Sequence, residues 1–135
     1  MLKFIIYGEP KALARHRHTK KGFTYPNPDS EREKENIRAQ ISKDKPEKLI
    51  TGAICVKFQF YMSIPQSKSE KQKQLMREGK VKPAKRPDIS NIIKLFEDSF
   101  NKFLWYDDSQ IVDLMATKFY SDNPRVEIQI DELGL

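Results

Sequence analysis

The sequence predicts one α+β domain over residues 1–135, a mixed or antiparallel sheet of about four strands packed with two to three helices. Three observations carry this. Apolar segments at 2–7, 52–62, 110–120 and 125–131 read as strands, the last with clean alternation. Ile89, Ile92, Ile93, Phe96 and Phe100 fall at i, i+3, i+4, i+7 and i+11, the spacing of an amphipathic helix. Strands and helices are interspersed without regular βαβ units, and a chain of this length builds one core rather than two.

The elements follow in order. Leu2 to Tyr7 is an opening strand, too short for a signal-peptide core. Residues 8–28 read as a long loop broken by Gly8, Pro10, Gly22, Pro26 and Pro28. Asp29 and Ser30 are placed to cap a helix running to about Ser42, with Ile37 and Ile41 at i, i+4. Gly52 to Met62 reads as a mostly buried strand, with Cys55 as a core residue. Residues 69–79 suit a short, highly charged helix ending at Gly79, before a basic loop from Lys80 to Pro87. In the next helix Ser90, Lys94, Glu97 and Asn101 share the face opposite the apolar stripe, and Asp88 stands at the N-cap. An acidic turn, Trp105-Tyr106-Asp107-Asp108, leads into the strand at 110–120, and Asn123-Pro124 turns the chain into the strand at 125–131.

Composition excludes several classes. A single Cys rules out a disulfide scaffold and a Cys-rich zinc site. No apolar run approaches the ~20 residues that span a bilayer, so a cytoplasmic protein without a membrane partner is expected.

The net charge of +6 hints at a polyanionic partner, and its distribution says more. Residues 1–25 hold six basic residues against one acid, and residues 68–86 hold eight against two. Residues 87–113 reverse the sign, with six acids against Lys94 and Lys102. Basic surface holds phosphates, whereas clustered carboxylates repel them unless a cation intervenes. The plainer alternative is that the two signs occupy different solvated faces.

The acidic set is Asp88, Glu97, Asp107 and Asp108. Cutting a phosphodiester needs an activated water and a sink for charge on the leaving oxygen, and Mg²⁺ held by two or three carboxylates supplies both. These acids converge only if the chain reverses at the Trp105–Asp108 turn. Asp88 can instead be a helix cap, and Asp107-Asp108 an ordinary solvated turn. Lys94 can stabilise charge at a scissile phosphate or form an i, i+4 ion pair with Asp98. Lys11, Arg15, Arg17, Lys20 and Lys21 suit backbone phosphate contacts, as do Lys82, Lys85 and Arg86 in the second basic segment. His16 and His18, two residues apart with no third ligand, make a weak zinc signal. Phe23 and Tyr25 can stack on bases, although anchoring the loop is the reading favoured.

The stretch Arg86-Pro87-Asp88-Ile89-Ser90-Asn91-Ile92-Ile93-Lys94, then Glu97-Asp98, then Trp105-Tyr106-Asp107-Asp108-Ser109-Gln110-Ile111-Val112, resembles the core of the RusA family of Holliday junction resolvases. That family carries a basic residue before Asp-x-Asp-Asn-x-x-Lys, and later Asp-Asp-x-Gln-Val-Val before a strand. Gly8-x-Pro10-Lys11, the Arg15-x-Arg17 pair and Thr24-Tyr25-x-Asn27-Pro28 are similar too, so the resemblance covers most of the chain. It implies a homodimeric nuclease that resolves four-way or other branched DNA by paired nicks with Mg²⁺, Mn²⁺ being able to substitute. Family members of this kind are often encoded by phages or prophages. Carried over by residue, Asp88 and Asp108 are metal-binding carboxylates and Lys94 the catalytic lysine, with Asp107 a neighbour of less defined role.

One position departs from the pattern: the second acid of Asp-x-Asp is Ser90 here. A hydroxyl replaces carboxylate charge poorly. Glu97, seven residues on and about 20° away around an ideal helix, is the acid best placed to compensate, and is expected among the catalytic and metal-binding residues. The competing readings are an inactive DNA-binding protein of the same fold and an RNA-binding module. A PD-(D/E)xK nuclease is disfavoured, because no Glu or Asp, one residue, then Lys follows Pro87-Asp88 on a strand.

Overall fold

Alternation of apolar and polar side chains fixes the inner face of each strand. The computed structural model describes residues 1–134. β1 (Leu2–Tyr7) buries Phe4 and Ile6. A two-residue hairpin of β2 (Arg17–His18) and β3 (Thr24–Tyr25) precedes α1 (Pro28–Ile41), then β4 (Ile54–Ser63), α2 (Glu70–Arg77) and α3 (Ile89–Phe100). A 3₁₀ turn at Asp108–Gln110 leads into β5 (Ile111–Ser121), and β6 (Arg125–Glu132) closes the fold. The main sheet runs β1-β6-β4-β5. The β1–β6 and β6–β4 pairs are antiparallel, and β4–β5 is parallel.

The sheet is therefore mixed, and α+β holds. The parallel pair is joined through α2 and α3, a crossover that strand spacing alone did not announce. It is the feature that decides the site. A parallel neighbour requires the chain to return to the starting end of β4 before β5 begins, and α3 makes that return.

One face of the sheet is covered. Ile54, Val56, Phe58, Phe60 and Met62 of β4 and Val126, Ile128 and Ile130 of β6 meet Ile37 and Ile41 of α1 and Ile92, Leu95, Phe96 and Phe100 of α3. Phe58, Phe60, Phe96, Phe100 and Trp105 form a run of ring contacts with centroids 5.4–6.0 Å apart. Burying each such ring contributes roughly 1.5–3 kcal/mol.

Four local expectations are corrected. The segment 8–28 is not a plain loop, because residues 17–18 and 24–25 pair across the turn at Thr19–Gly22. Phe23 and Tyr25 are exposed there, so neither anchors it. The α1 N-cap is Asn27, whose side chain accepts from the Asp29 N–H, with Pro28 in the first turn. Ser30 is instead buried and accepts from the Ala14 N–H at 2.8 Å, tying the N-terminal segment to α1. Cys55 is half-buried rather than a core residue, because its side chain points to the face opposite Ile54 and Val56. Among the described residues, no helix is long and apolar enough to cross a membrane.

Candidate active site

Helix α3 carries the site. Its apolar stripe lies on the sheet, which leaves Ser90, Lys94 and Glu97 on the far flank. Asp88 is the N-cap by backbone, and its carbonyl accepts from the Asn91 and Ile92 N–H groups. Its carboxylate makes no capping hydrogen bond, so its charge is not spent on the helix. Asp88 stands exposed between two grooves. One, of about 670 Å³, is lined by Lys82, Lys85, Arg86, Ala116, Thr117 and Lys118. The other, of about 570 Å³, is lined by Leu13, Arg15, Arg86 and Asn91. Lys118 shapes the first, donating from Nζ to the carbonyls of Lys85 (2.6 Å) and Pro87 (2.9 Å). The Leu13 N–H bonds the Asn91 carbonyl at 3.0 Å and brings the basic N-terminal segment beside the helix start.

The expected ion pair between Lys94 and Asp98 is not formed. Asp98 turns to Lys34 on α1 at 3.7 Å, and Lys94 is exposed with no carboxylate within ion-pair distance among the described residues. Its ammonium is therefore available to an anion.

Glu97 and Asp108 come together at the other end of α3. Trp105 is fully buried against Phe100, and its indole Nε1 donates to Asp108 Oδ1 at 2.8 Å. This fixes Asp108 beside the last turn of the helix. Burial pushes the Glu97 carboxyl up from its ordinary range, with the negative charges of Asp108 and Asp98 adding and Lys94 opposing. Burial likewise pushes Asp108 up, against the Trp105 hydrogen bond, with Asp98 and Asp107 adding. Acids at a helix C-terminus also meet the negative end of its dipole, and no basic residue lies in the last turn of α3 to offset them. Asp107 has another task. Hydrogen bonding from the Ser109 side chain, and then from the Ser109 N–H, holds its carboxyl below the ordinary range, and its own N–H is met by Gln110.

The sequence motifs did not single out Asn101, one turn after Glu97 on the same face. Its side-chain oxygen is buried and lacks a hydrogen-bond donor among the described residues. Only folding reveals this, because an Asn at a helix end is ordinary in sequence.

Asp88 and Asp108 do not converge within one chain. Asp88 precedes the first residue of the 12-residue α3, and Asp108 lies by its last turn. A helix of that length spans ~18 Å, whereas Mg²⁺ reaches its oxygens at about 2.0–2.1 Å. Among the described residues no three His, Cys, Asp or Glu side chains cluster as a metal would require. The expected reversal at Trp105–Asp108 happens, but it delivers Asp108 to Glu97, not to Asp88. Glu97, Asp108 and the orphaned Asn101 oxygen fit part of a hard-cation shell, all oxygen donors with excess negative charge.

The basic residues divide. Arg15 and Arg17 are exposed, the first lining the groove by Asp88 and the second on β2, and Lys20 and Lys21 sit exposed at the hairpin turn. Lys11 pairs with Glu33 at 3.5 Å. Lys82 and Lys85 stand over the rings of Phe119 and Tyr120, and both line the larger groove with Arg86. His16 and His18 are exposed.

A small α+β domain with unspent carboxylates on one helix and basic grooves beside them belongs to the class of polyanion-handling proteins with an acidic centre. A family model for "Endodeoxyribonuclease RusA" matches residues 7–131, and the chain belongs to that family. It is 35% identical over 138 residues, 98% of this chain and 97% of the relative, to the uncharacterized protein YqaN of Bacillus subtilis (strain 168). It is 33% identical over 101 residues, 73% of this chain and 70% of the relative, to the crossover junction endodeoxyribonuclease rusA of Lactococcus phage r1t.

Proposed function

We propose that this protein is a Mg²⁺-dependent endonuclease that resolves four-way DNA junctions by paired nicks. It acts as a homodimer in recombination and repair, in the cytoplasm of a phage-infected or prophage-carrying cell. The observation that supports this best is the uncapped Asp88 carboxylate between two grooves rich in Lys and Arg. A carboxylate there repels phosphate unless a cation accompanies the DNA.

Bound Mg²⁺ would supply a nucleophilic water at neutral pH and a counter-charge for the leaving oxygen. Asp88, Asp108 and Glu97 are the residues that would hold it, with Asp107 keeping the 3₁₀ turn in shape. Lys94 presents a free ammonium to phosphate charge that grows as the bond breaks. Arg15, Arg17, Lys20 and Lys21, with Lys82, Lys85 and Arg86, bind and orient the backbone. Two nicks on a substrate with near two-fold symmetry call for two sites, and a two-fold dimer supplies them.

The test is a nicking assay on four-way junction, duplex and single strand, with and without Mg²⁺, repeated with Asp88→Asn and Asp108→Asn. Both variants are expected to lose cutting and to bind the junction at least as well, since negative charge has been removed. Binding without any cutting by the unaltered protein identifies an inactive junction binder and overturns the nuclease reading.

A further inference from the structure

The β2–β3 hairpin carries two aromatic rings that the core does not use. Phe23 is 69% exposed and Tyr25 40%. A ring held in water forgoes the burial that drives the rest of the fold. The turn that holds Phe23 is closed by three hydrogen bonds. The Thr19 N–H donates to the Phe23 carbonyl at 2.7 Å, and the Phe23 N–H donates to Thr19 Oγ1 at 3.0 Å. Gly22, at φ +86°, lets its own N–H reach the Thr19 carbonyl at 3.0 Å. Tyr25 stands opposite Arg17 in the hairpin register, and Phe23, two residues earlier, shares its face. Between Pro10 and Pro28 the chain holds Lys11, Arg15, Arg17, Lys20 and Lys21 and no acid. The foot of the hairpin is fixed at a groove of the candidate active site. Arg15 lines the groove of Asp88, and the Asn27 side-chain amide reaches the Arg15 carbonyl at 3.5 Å.

We infer that Phe23, backed by Tyr25, is a wedge that stacks on the open face of a base at a DNA branch point, and so selects branched DNA over continuous duplex. This rests on the nuclease reading and names the residues that tell its substrate from ordinary DNA.

Three features support it. First, chemistry: in a continuous duplex each base face is covered by its neighbour, so an apolar side chain enters only by unstacking a step. At a branch point the strands exchange partners and the stack is interrupted there. A base face is then freed at least cost, and the ring gains a partner that duplex lacks. Second, charge: cations interleaved with aromatics suit DNA whose bases are unstacked, the cations following the backbone while the rings take the bases. An acid-free basic segment favours that polyanion over an apolar protein surface as the cover for these rings. The planar guanidinium of Arg17, opposite Tyr25, adds a second stacking surface on the same face. Third, reach: Thr19, which pairs with Phe23, lies four residues along from Arg15, at most ~14 Å of chain. That is about four base steps at ~3.4 Å each. One branch point can therefore engage Phe23 while a phosphate a few nucleotides away lies beside Asp88. The closed turn sets the ring in place before DNA arrives, so little ordering is left to binding.

Binding measured in chelator, where no strand is cut, tests the wedge apart from the chemistry. Phe23→Ala with Tyr25→Ala is expected to bind a four-way junction about tenfold more weakly, the scale of a lost base–aromatic stack. Its affinity for a duplex of the same length should be unchanged, because the cations that hold the backbone remain. Phe23→Trp with Tyr25 intact should keep the junction preference, since it preserves a stacking ring. A junction with 2-aminopurine at the branch point gives a direct readout. Its fluorescence should be quenched by the unaltered protein and by Phe23→Trp, and not by the double alanine variant. Unchanged junction affinity in the alanine variant, an equal loss on junction and duplex, or quenching that survives the loss of both rings overturns the inference. A smaller assembly by light scattering with junction affinity preserved assigns the rings to a protein contact and also overturns it. Failure of the nuclease reading shows separately, as an unaltered protein that nicks no DNA with Mg²⁺ while junction preference and quenching still report on the wedge.

Discussion

Trp105 and Asp108 are joined by one hydrogen bond, indole Nε1 to carboxylate Oδ1 at 2.8 Å, and it links the hydrophobic core to the acidic centre. The indole is fully buried, so the carboxylate it orients inherits the rigidity of the core. Trp105→Phe keeps a ring against Phe100 and deletes the donor. A hydrogen bond to a charged group contributes about 1.5–3 kcal/mol, and a cavity adds to the loss. Without the donor, the Asp108 carboxyl should titrate higher still. The expected outcome is a lower melting temperature and an acid limb of the pH–rate profile displaced to higher pH. An unmoved limb in a destabilised variant would confine Trp105 to packing.

Glu97 is strained electrostatically, and its sign can be followed through pH. Its folded pKa is raised above the ordinary 4.5 by burial and by Asp108 and Asp98. The charged form is thus disfavoured in the folded state. The resulting destabilisation is fully present above the folded value and absent below about 4.5. Glu97→Gln should therefore stabilise the apo protein at neutral pH by roughly 0.3–1 kcal/mol, the scale of a helix-terminus charge. The gain should vanish as pH falls through that window. Thermal melts across pH in chelator measure it, and added Mg²⁺ should stabilise the unaltered protein more than the variant.

Cutting should separate Glu97 from its neighbour. Asp98 is committed to Lys34 on α1, at 3.7 Å. Glu97→Gln should reduce cutting severely, Asp98→Asn mildly, and Ser90→Ala less than Glu97→Gln. Ser90→Asp together with Glu97→Gln should recover part of the activity by returning an acid to the family position. Full activity of Glu97→Gln at low Mg²⁺ would make Glu97 an ordinary helix residue.

Lys94→Ala should lower the single-turnover rate by about 10²–10³ while leaving Mg²⁺ binding intact, the usual effect of a lost transition-state contact in a dry site. Lys94→Arg should rescue only in part, since a planar guanidinium places its charge differently. Near-normal rates for the alanine variant would remove Lys94 from the chemistry.

Junction affinity should fall steeply with salt, by roughly 0.9 in the logarithmic slope for each phosphate contacted. Replacing Arg15, Arg17, Lys20 and Lys21 with Gln should flatten that slope. Lys11→Gln should do less, because its ammonium already meets Glu33 at 3.5 Å. A slope unchanged by the fourfold variant would take the hairpin off the DNA.

Local pattern determined much of this protein. The i, i+3, i+4 spacing of Ile89, Ile92, Ile93, Phe96 and Phe100 specifies α3 and its phase, and phase alone puts Ser90, Lys94 and Glu97 on one flank. Motif spacing around Asp88 and Asp107-Asp108 pointed to the family that the comparisons establish. Tertiary structure decided what depends on residues far apart in sequence. The parallel partnership of β4 with β5 sets the start of β5 at the far end of α3, so Asp108 meets Glu97 and not Asp88. The choice of Lys34 over Lys94 as partner for Asp98 depends on how α1 packs. So does the exposure of the β5 edge, since alternation marks the faces of a strand but not which of its edges is paired. Periodicity is a property of neighbours along the chain, whereas pairing and ion-pair choice are settled by competition among all partners the folded chain brings within reach.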